Sequence, residues 1–193
     1  MANIAVFGGT FNPFHLGHYQ MLKALCDSDM LDKVLVIPDR IPPHKTLDHG
    51  ATDNDRIEMC RLVCEEFEKA ALCLIEFSRE GKSYTVDTIA ELKKIYPNDC
   101  FYVACGADML KTLDTWHDFE RLKQIVSFIV FNRNNDLCFL EDVKRIKALG
   151  ADIIVFNDEI VSISSTQLRK SIKPEFLPEK VYDYVNKRGI YKQ

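Results

Sequence analysis

At 193 residues the chain is long enough for one hydrophobic core and too short for two independent ones, so a single domain over 1–193 is expected. A composition of 47% hydrophobic and 28% charged residues, with 8 glycines and 7 prolines, excludes a low-complexity chain. The formal charge of -4 argues against nucleic acid as a partner and leaves room for a local basic pocket suited to a small polyanion.

Ile4 to Phe7 is a short apolar run closed by Gly8-Gly9, and a helical pattern follows through Leu16, Met21, Leu22 and Leu25. Lys33 to Ile37 repeats the strand signal and stops at Pro38. Asp39 to Thr52, which contains Pro42-Pro43-His44-Lys45, has no periodicity and reads as a long loop of the kind compact domains use for function. Asp53 to Lys69 sets Ile57, Cys60, Val63, Cys64 and Phe67 on one helical side, and Leu72 to Phe77 reads as the next strand. Tyr84 to Tyr96 is an amphipathic helix bounded by Pro97, and Cys100 to Cys105 is a strand running into Gly106. Phe119 to Val126 is helical, Ser127 to Phe131 extended, Leu140 to Leu149 helical up to Gly150, and Ile153 to Phe156 the last clear strand. A Ser-capped helix near Ser164 and a final helix from Pro178 to Lys187 make a C-terminal helical segment over 164–193 that packs on the rest. Strands that alternate with helices and are continuously apolar predict a Rossmann-like, doubly wound α/β fold, a parallel sheet with helices on both faces. Its ligands bind beyond the carboxyl ends of the strands, and the first and last motifs both follow strand patterns.

Seven cysteines, at positions 26, 60, 64, 73, 100, 105 and 138, sit mostly inside apolar runs. Their odd count and the lack of a close CxxC pair read as reduced core residues of a cytosolic protein. Cys60 and Cys64 lie one helical turn apart, but no His or further Cys follows at zinc-ligand spacing, so no metal site is expected there. The N-terminus runs straight into a strand pattern and no apolar stretch reaches spanning length, so a soluble, cytoplasmic protein with no membrane partner is expected.

Two segments carry chemistry: Gly8 to His18 (GGTFNPFHLGH) and Ile163 to Arg169 (ISSTQLR). Gly8-Gly9 after a buried strand lets the backbone turn tightly and approach a ligand with no Cβ in the way, although a plain turn accounts for the glycines equally well. Neither GxGxxG nor GxxxxGK[ST] is present. His15 and His18 share a helix face at a helix start, where exposed N–H groups attract anions. Two imidazoles there can donate to phosphate oxygens and offset charge that builds up in phosphoryl or nucleotidyl transfer. Polar loop histidines are the bland alternative, and a metal pair would lack a third ligand at sensible spacing. Ser164-Ser165-Thr166 is a hydroxyl-rich cap, and the spacing predicts Arg169 in the first turn of that helix, where positive charge is disfavoured unless an anion compensates. Its guanidinium can fork onto a β- or γ-phosphate.

These segments resemble the paired signatures of the HxGH-type nucleotidyltransferase superfamily, whose members join a nucleoside triphosphate to a phosphate or acid and release pyrophosphate. Within it the chain is similar to the bacterial nicotinate-nucleotide adenylyltransferases along nearly its whole length: Pro42-Pro43-His44-Lys45, Arg56 with Met59, Ser83-Tyr84-Thr85, Gly106-Ala107-Asp108, Trp116, Arg133 and the closing Leu177 to Tyr191. The resemblance implies ATP and nicotinate mononucleotide as partners, with magnesium carried by ATP on phosphate oxygens and water. It implies that His15, His18 and Arg169 bind the ATP phosphates, that Gly8, Gly9, Thr10 and Phe11 line them through backbone, and that Ser164, Ser165 and Thr166 complete the cradle. Lys45 would reach in from its loop toward the phosphates and the mononucleotide, while Gly106 and Asp108 hold the adenosine. Tyr84, Thr85 and Trp116 would address the pyridine nucleotide, the indole stacking on the ring and Thr85 receiving its carboxylate with neighbouring N–H groups. A homodimer is compatible with all of this.

By residue chemistry alone, Trp116 could be core, Asp108 a turn cap, Thr85 part of a helix start and Lys45 a solvated loop lysine. The implied reaction is direct displacement. The 5'-phosphate of the mononucleotide attacks the α-phosphorus of ATP, and rate comes from alignment and charge stabilisation without a covalent enzyme intermediate. Two positions depart from the family pattern: Asn134-Asn135-Asp136 replaces a Pro-Gly turn, and Cys105 stands where a larger aliphatic is usual. Rival readings are an enzyme for the amide mononucleotide, a pantetheine-phosphate adenylyltransferase, and a nucleotide-binding regulator without turnover. The first shares every motif. The second would not need the Trp and Ser-Tyr-Thr elements, and the third would not need the full set of His15, His18, Lys45 and Arg169.

Overall fold

Strands that are apolar on both sides must be covered on both sides, and the computed structural model, which describes residues 1–41, 50–132 and 138–191, places six of them in one parallel sheet. They are β1 (Asn3–Gly9), β2 (Lys33–Pro38), β3 (Ala70–Leu72), β4 (Cys100–Gly106), β5 (Ser127–Phe131) and β6 (Ile153–Phe156), in the order β3-β2-β1-β4-β5-β6. Successive residues point to opposite faces. Ala5, Phe7, Ile129 and Phe131 enter one core, and Ile4, Val6, Phe128 and Val130 the other.

The first core is closed by α1 (Leu16–Asp27), α2 (Asp53–Cys64) and α8 (Glu179–Arg188), through Met21, Leu22 and Leu25, Met59, Cys60 and Val63, and Val181 and Val185. The second is closed by α3 (Thr85–Ile95), α5 (Phe119–Ile125) and α6 (Phe139–Ala148), through Val86, Ile89 and Leu92, Leu122, and Val143 and Ile146. Short α4 (Ala107–Leu110) follows β4, and α7 (Ser165–Lys170) precedes α8. Cys26, Cys60 and Cys64 pack in the first core, where burial pushes their thiols up, to about 11 for Cys26, about 12 for Cys64 and well above the usual value for Cys60. Cys138 departs from the core reading and is exposed. No helix among the described residues is long and apolar enough to cross a membrane.

From β1 the chain builds outward through β2 to β3, then returns to the other side of β1 for β4, β5 and β6. The connections therefore part between β1 and β4, and a crevice opens at the carboxyl ends of those two strands. Gly8-Gly9 ends β1 and Gly106 ends β4, so both glycine motifs reach it.

Three expected elements differ. The strand expected over Leu72 to Phe77 is β3 at 70–72, followed by a 3-10 turn at Ile75–Ser78. Leu74 is exposed there, while Glu76 is buried and accepts the Thr88 hydroxyl at 2.8 Å, so the apolar run does not follow one sheet face. The helix expected to Lys69 stops at Cys64, because the Lys69 carbonyl must accept the Val34 N–H (2.8 Å) as the chain enters β3. The helix after Ser164 is so short that Arg169 falls in its last turn, not its first. The macrodipole favours a cation there, so the charge calls for no compensating anion on that ground.

Asp55 ties α2 to α8. Its carboxylate is 2% exposed and accepts from the Thr52 N–H (2.9 Å) and hydroxyl (2.6 Å), the Tyr184 hydroxyl (2.8 Å) and Arg188 Nε (3.1 Å). Burial alone would raise its pKa, but hydrogen bonds from Thr52, Tyr184 and Arg188 outweigh it and hold the group at about 2 in place of 3.8. A depressed folded pKa means the stabilisation is fully present above the unfolded value and is lost as pH falls through the folded one, an effect of roughly 2 kcal/mol. Asp55→Asn is therefore expected to be less stable than the parent chain at about pH 5, with the gap closing toward about pH 2, as read by urea unfolding.

Candidate active site

His15 is the N-cap of α1, with extended backbone, and His18 is the third residue of that helix. Each Nδ1 accepts the other residue's backbone N–H at 3.3 Å. A neutral imidazole that accepts at Nδ1 carries its proton at Nε2, so each ring presents a donor on the side away from the backbone. The two rings stack with centroids 3.6 Å apart and planes 16° from parallel. Phe11 and Phe14 meet the His18 ring edge-on at 5.1 and 5.4 Å, and the rings of Phe11 and Phe14 stack at 4.8 Å. The imidazole pair is thus held by backbone on one side and aromatic rings on another. Gly17 makes the stack feasible, because a Cβ there would lie 3.0 Å from the Val161 carbonyl and 3.2 Å from the His15 ring. At Gly8 a Cβ would find only the Ile37 carbonyl, at 3.9 Å, so protein packing does not demand glycine and the space above it belongs to the crevice.

The loop between β1 and α1 has no regular structure, and other elements hold its carbonyls. Arg56 NH1 donates to Thr10 O (3.0 Å) and Asp39 O (2.7 Å), Arg169 NH1 to Asn12 O (2.9 Å), and the Ser165 hydroxyl to Pro13 O (3.3 Å). The Val161 N–H donates to Gln20 Oε1 at 2.7 Å. Both ends of the chain therefore meet by direct hydrogen bonds. Ser164 caps α7 through the Gln167 N–H (3.2 Å), and Thr166 Oγ1 accepts from Arg169 NH2 (3.2 Å). Thr10 Oγ1 donates to Asp39 Oδ2 at 3.3 Å. Phe11 is 1% exposed, with a backbone φ of 47°, and its ring belongs to the first core.

These groups line one cavity of about 330 Å³ that runs from the end of β1 to the end of β4. Gly8, Gly9, Thr10, Asn12, His15, His18 and Arg169 line it with Ser164, Ser165 and Thr166, and Gly106, Asp108, Tyr84, Thr85 and Trp116 line it too. Gly106 is the N-cap of α4, and Asp108 is exposed in its first turn. Thr85 opens α3 and Tyr84 is its N-cap. Trp116 is half-buried, packing against the second core while reaching the cavity, so it is both core and wall. The Tyr84 ring stacks on His117 at 4.2 Å.

A family model described as cytidylyltransferase-like matches residues 6–171. The nicotinate-nucleotide adenylyltransferase of Bacillus subtilis (strain 168) is 36% identical over 196 residues, covering 99% of this chain and 99% of the relative. The chain belongs to the nicotinate-nucleotide adenylyltransferase family. A protein of Listeria welshimeri named probable nicotinate-nucleotide adenylyltransferase is 35% identical over 190 residues, 97% of this chain and 96% of the relative. Among solved structures, Plasmodium falciparum nicotinic acid mononucleotide adenylyltransferase complexed with NaAD shares the fold at a TM-score of 0.81, covering 99% of this chain and 98% of that one at 22% identity.

In this member of the nicotinate-nucleotide adenylyltransferase family, Lys45 and Arg133 lie outside the described residues, as does the Asn134-Asn135-Asp136 departure. Cys105 is buried in the second core. Sequence reasoning passed over Asp39, Asn12, His117, Glu76 and Thr88 as cavity residues. Asn12 lay inside the first motif and His117 beside Trp116, so adjacency could have flagged both. Asp39 opens the long loop over 39–52 already read as functional, and Glu76 had no such signal.

Proposed function

We propose that this cavity binds magnesium-ATP and nicotinate mononucleotide side by side, and that the mononucleotide 5'-phosphate attacks the α-phosphorus in line. Pyrophosphate leaves and nicotinate adenine dinucleotide forms, an adenylyl transfer in NAD biosynthesis. The observation that carries this reading is the backbone-fixed, stacked His15–His18 pair beside Arg169 at the crevice between β1 and β4. A phosphate dianion is already a competent nucleophile, so the site's work is alignment and charge stabilisation. His15 and His18 donate to phosphate oxygens, Arg169 adds a fixed positive charge, and Gly8 leaves room for close approach. Gly106 and Asp108 take the adenosine side, while Trp116 offers a flat face to the pyridine ring and Thr85, at the first turn of α3, receives its carboxylate.

Magnesium enters with ATP. In this reading the ion is held chiefly by phosphate oxygens and water. The whole chain acts as one domain in this reading, with α7 and α8 packed on the sheet.

The test is parallel assays of acid and amide mononucleotides with ATP and magnesium, following pyrophosphate. The acid is expected to be preferred by about tenfold or more in kcat/KM, the worth of a charge-assisted hydrogen bond. Preference for the amide would reassign the second substrate. No turnover with either would overturn the reading, and ATP binding without pyrophosphate release would mark a regulator.

A further inference from the structure

The loop from Thr10 to Pro13 takes its shape from anchors on other elements, and one of them comes from the end of the chain. Asn12 is 5% exposed, and both its polar halves are engaged. Its backbone carbonyl accepts from Arg169 NH1, and its side-chain Oδ1 accepts from the Tyr191 hydroxyl. Tyr191 does not line the cavity, whereas Asn12 does. We propose that Tyr191 is a positioning residue for the adenylyl transfer, holding through Asn12 the loop that presents His15 and His18. This rests on the functional reading above.

Three further observations support it. Tyr191 has a backbone φ of 62°, in the left-handed region that a bulky aromatic adopts only when its surroundings impose it. Its ring is seated against Gly50, where a Cβ would come within 3.0 Å of Tyr191 Cδ1 and 3.3 Å of its N. Gly50 lies two residues before Thr52, the N-cap of α2, so one side chain touches both the Thr10–Pro13 loop and the approach to α2. Finally, α8 is itself locked to α2 through Asp55, and the next residue, Arg56, holds Thr10 and Asp39. These hydrogen bonds, with the chain between them, close a circuit of Tyr191, α8, α2 and the Thr10–Pro13 loop. Burial pushes the Tyr191 hydroxyl well above its ordinary pKa, which keeps it a donor.

Tyr191→Phe keeps the ring against Gly50 and removes only the hydroxyl. It is expected to lower kcat about 10- to 100-fold, the cost of misplacing reacting groups by a fraction of an ångström, while KM for the mononucleotide stays within about twofold. Asn12→Ala and the double variant complete a cycle, in which the double variant is expected to be no worse than the poorer single. Full kcat in Tyr191→Phe, or additive losses, would overturn the proposal. A readout independent of turnover is the imidazole NMR spectrum. The His15 and His18 resonances are expected to shift in Tyr191→Phe, and unmoved resonances would overturn the proposal even in a chain that fails to turn over. If the parent chain releases no pyrophosphate, the functional reading falls and those resonances still decide whether Tyr191 positions the loop. Should Tyr191→Phe fail to fold, Asn12→Ala in the same spectrum decides it.

Discussion

His18→Ala is expected to lower kcat about 10²- to 10³-fold, the usual loss when one preorganised donor to a charged transition state is removed. Thermal stability should change little by comparison. The ring accepts the His15 N–H at 3.3 Å, a cap whose loss costs about 1 kcal/mol, and packs against His15, Phe11 and Phe14, contacts that its removal also forfeits. Because charge on the α-phosphate and the departing pyrophosphate builds up during reaction, kcat and kcat/KM should fall together. Steady-state pyrophosphate release, with a melting curve on the same preparation, separates the two effects. An unchanged kcat would remove His18 from the chemistry. His15→Ala makes a less clean test, since His15 is the N-cap of α1 and only 2% exposed.

Arg169→Lys is expected to cost about 100-fold in kcat/KM for ATP despite keeping the charge. The guanidinium spans two protein acceptors, Asn12 O at 2.9 Å and Thr166 Oγ1 at 3.2 Å, while lining the cavity. A lysine ammonium is a point charge and cannot hold both in one plane. Arg169→Ala should fall further, and KM for the mononucleotide should move little in either variant. A lysine variant as active as the parent would mean that charge alone matters and that the Asn12 contact is incidental.

Arg169 also shows where the sequence expectation and the structure part. The spacing after Ser164 suggested a cation at a helix start, which demands an anion; the helix has six residues, and the arginine lies at its end. What brings Arg169 to the crevice is its reach across to Asn12, a contact spanning 157 positions of sequence. The short edge strand β3 is a similar case. Leu72 to Phe77 is apolar enough for a strand, but the chain pairs with β2 only along Ala70 to Leu72 and then enters the 3-10 turn at Ile75–Ser78.

Local pattern was enough for the alternation of buried strands and amphipathic helices, and for the histidine pair at a helix start, because these depend on spacing within a few residues. The covered parallel sheet follows from strands with no polar face. Tertiary structure alone decided the rest. The order β3-β2-β1-β4-β5-β6 places Gly8 and Gly106 on one crevice, and the paired Nδ1 acceptors of His15 and His18 set which nitrogen each ring offers. Asp39, Arg56 and Tyr191 join the site or its frame through hydrogen bonds to backbone and side-chain groups far away in sequence. Such contacts leave no periodic trace in the chain, since they depend on how elements pack and not on the spacing within any one of them.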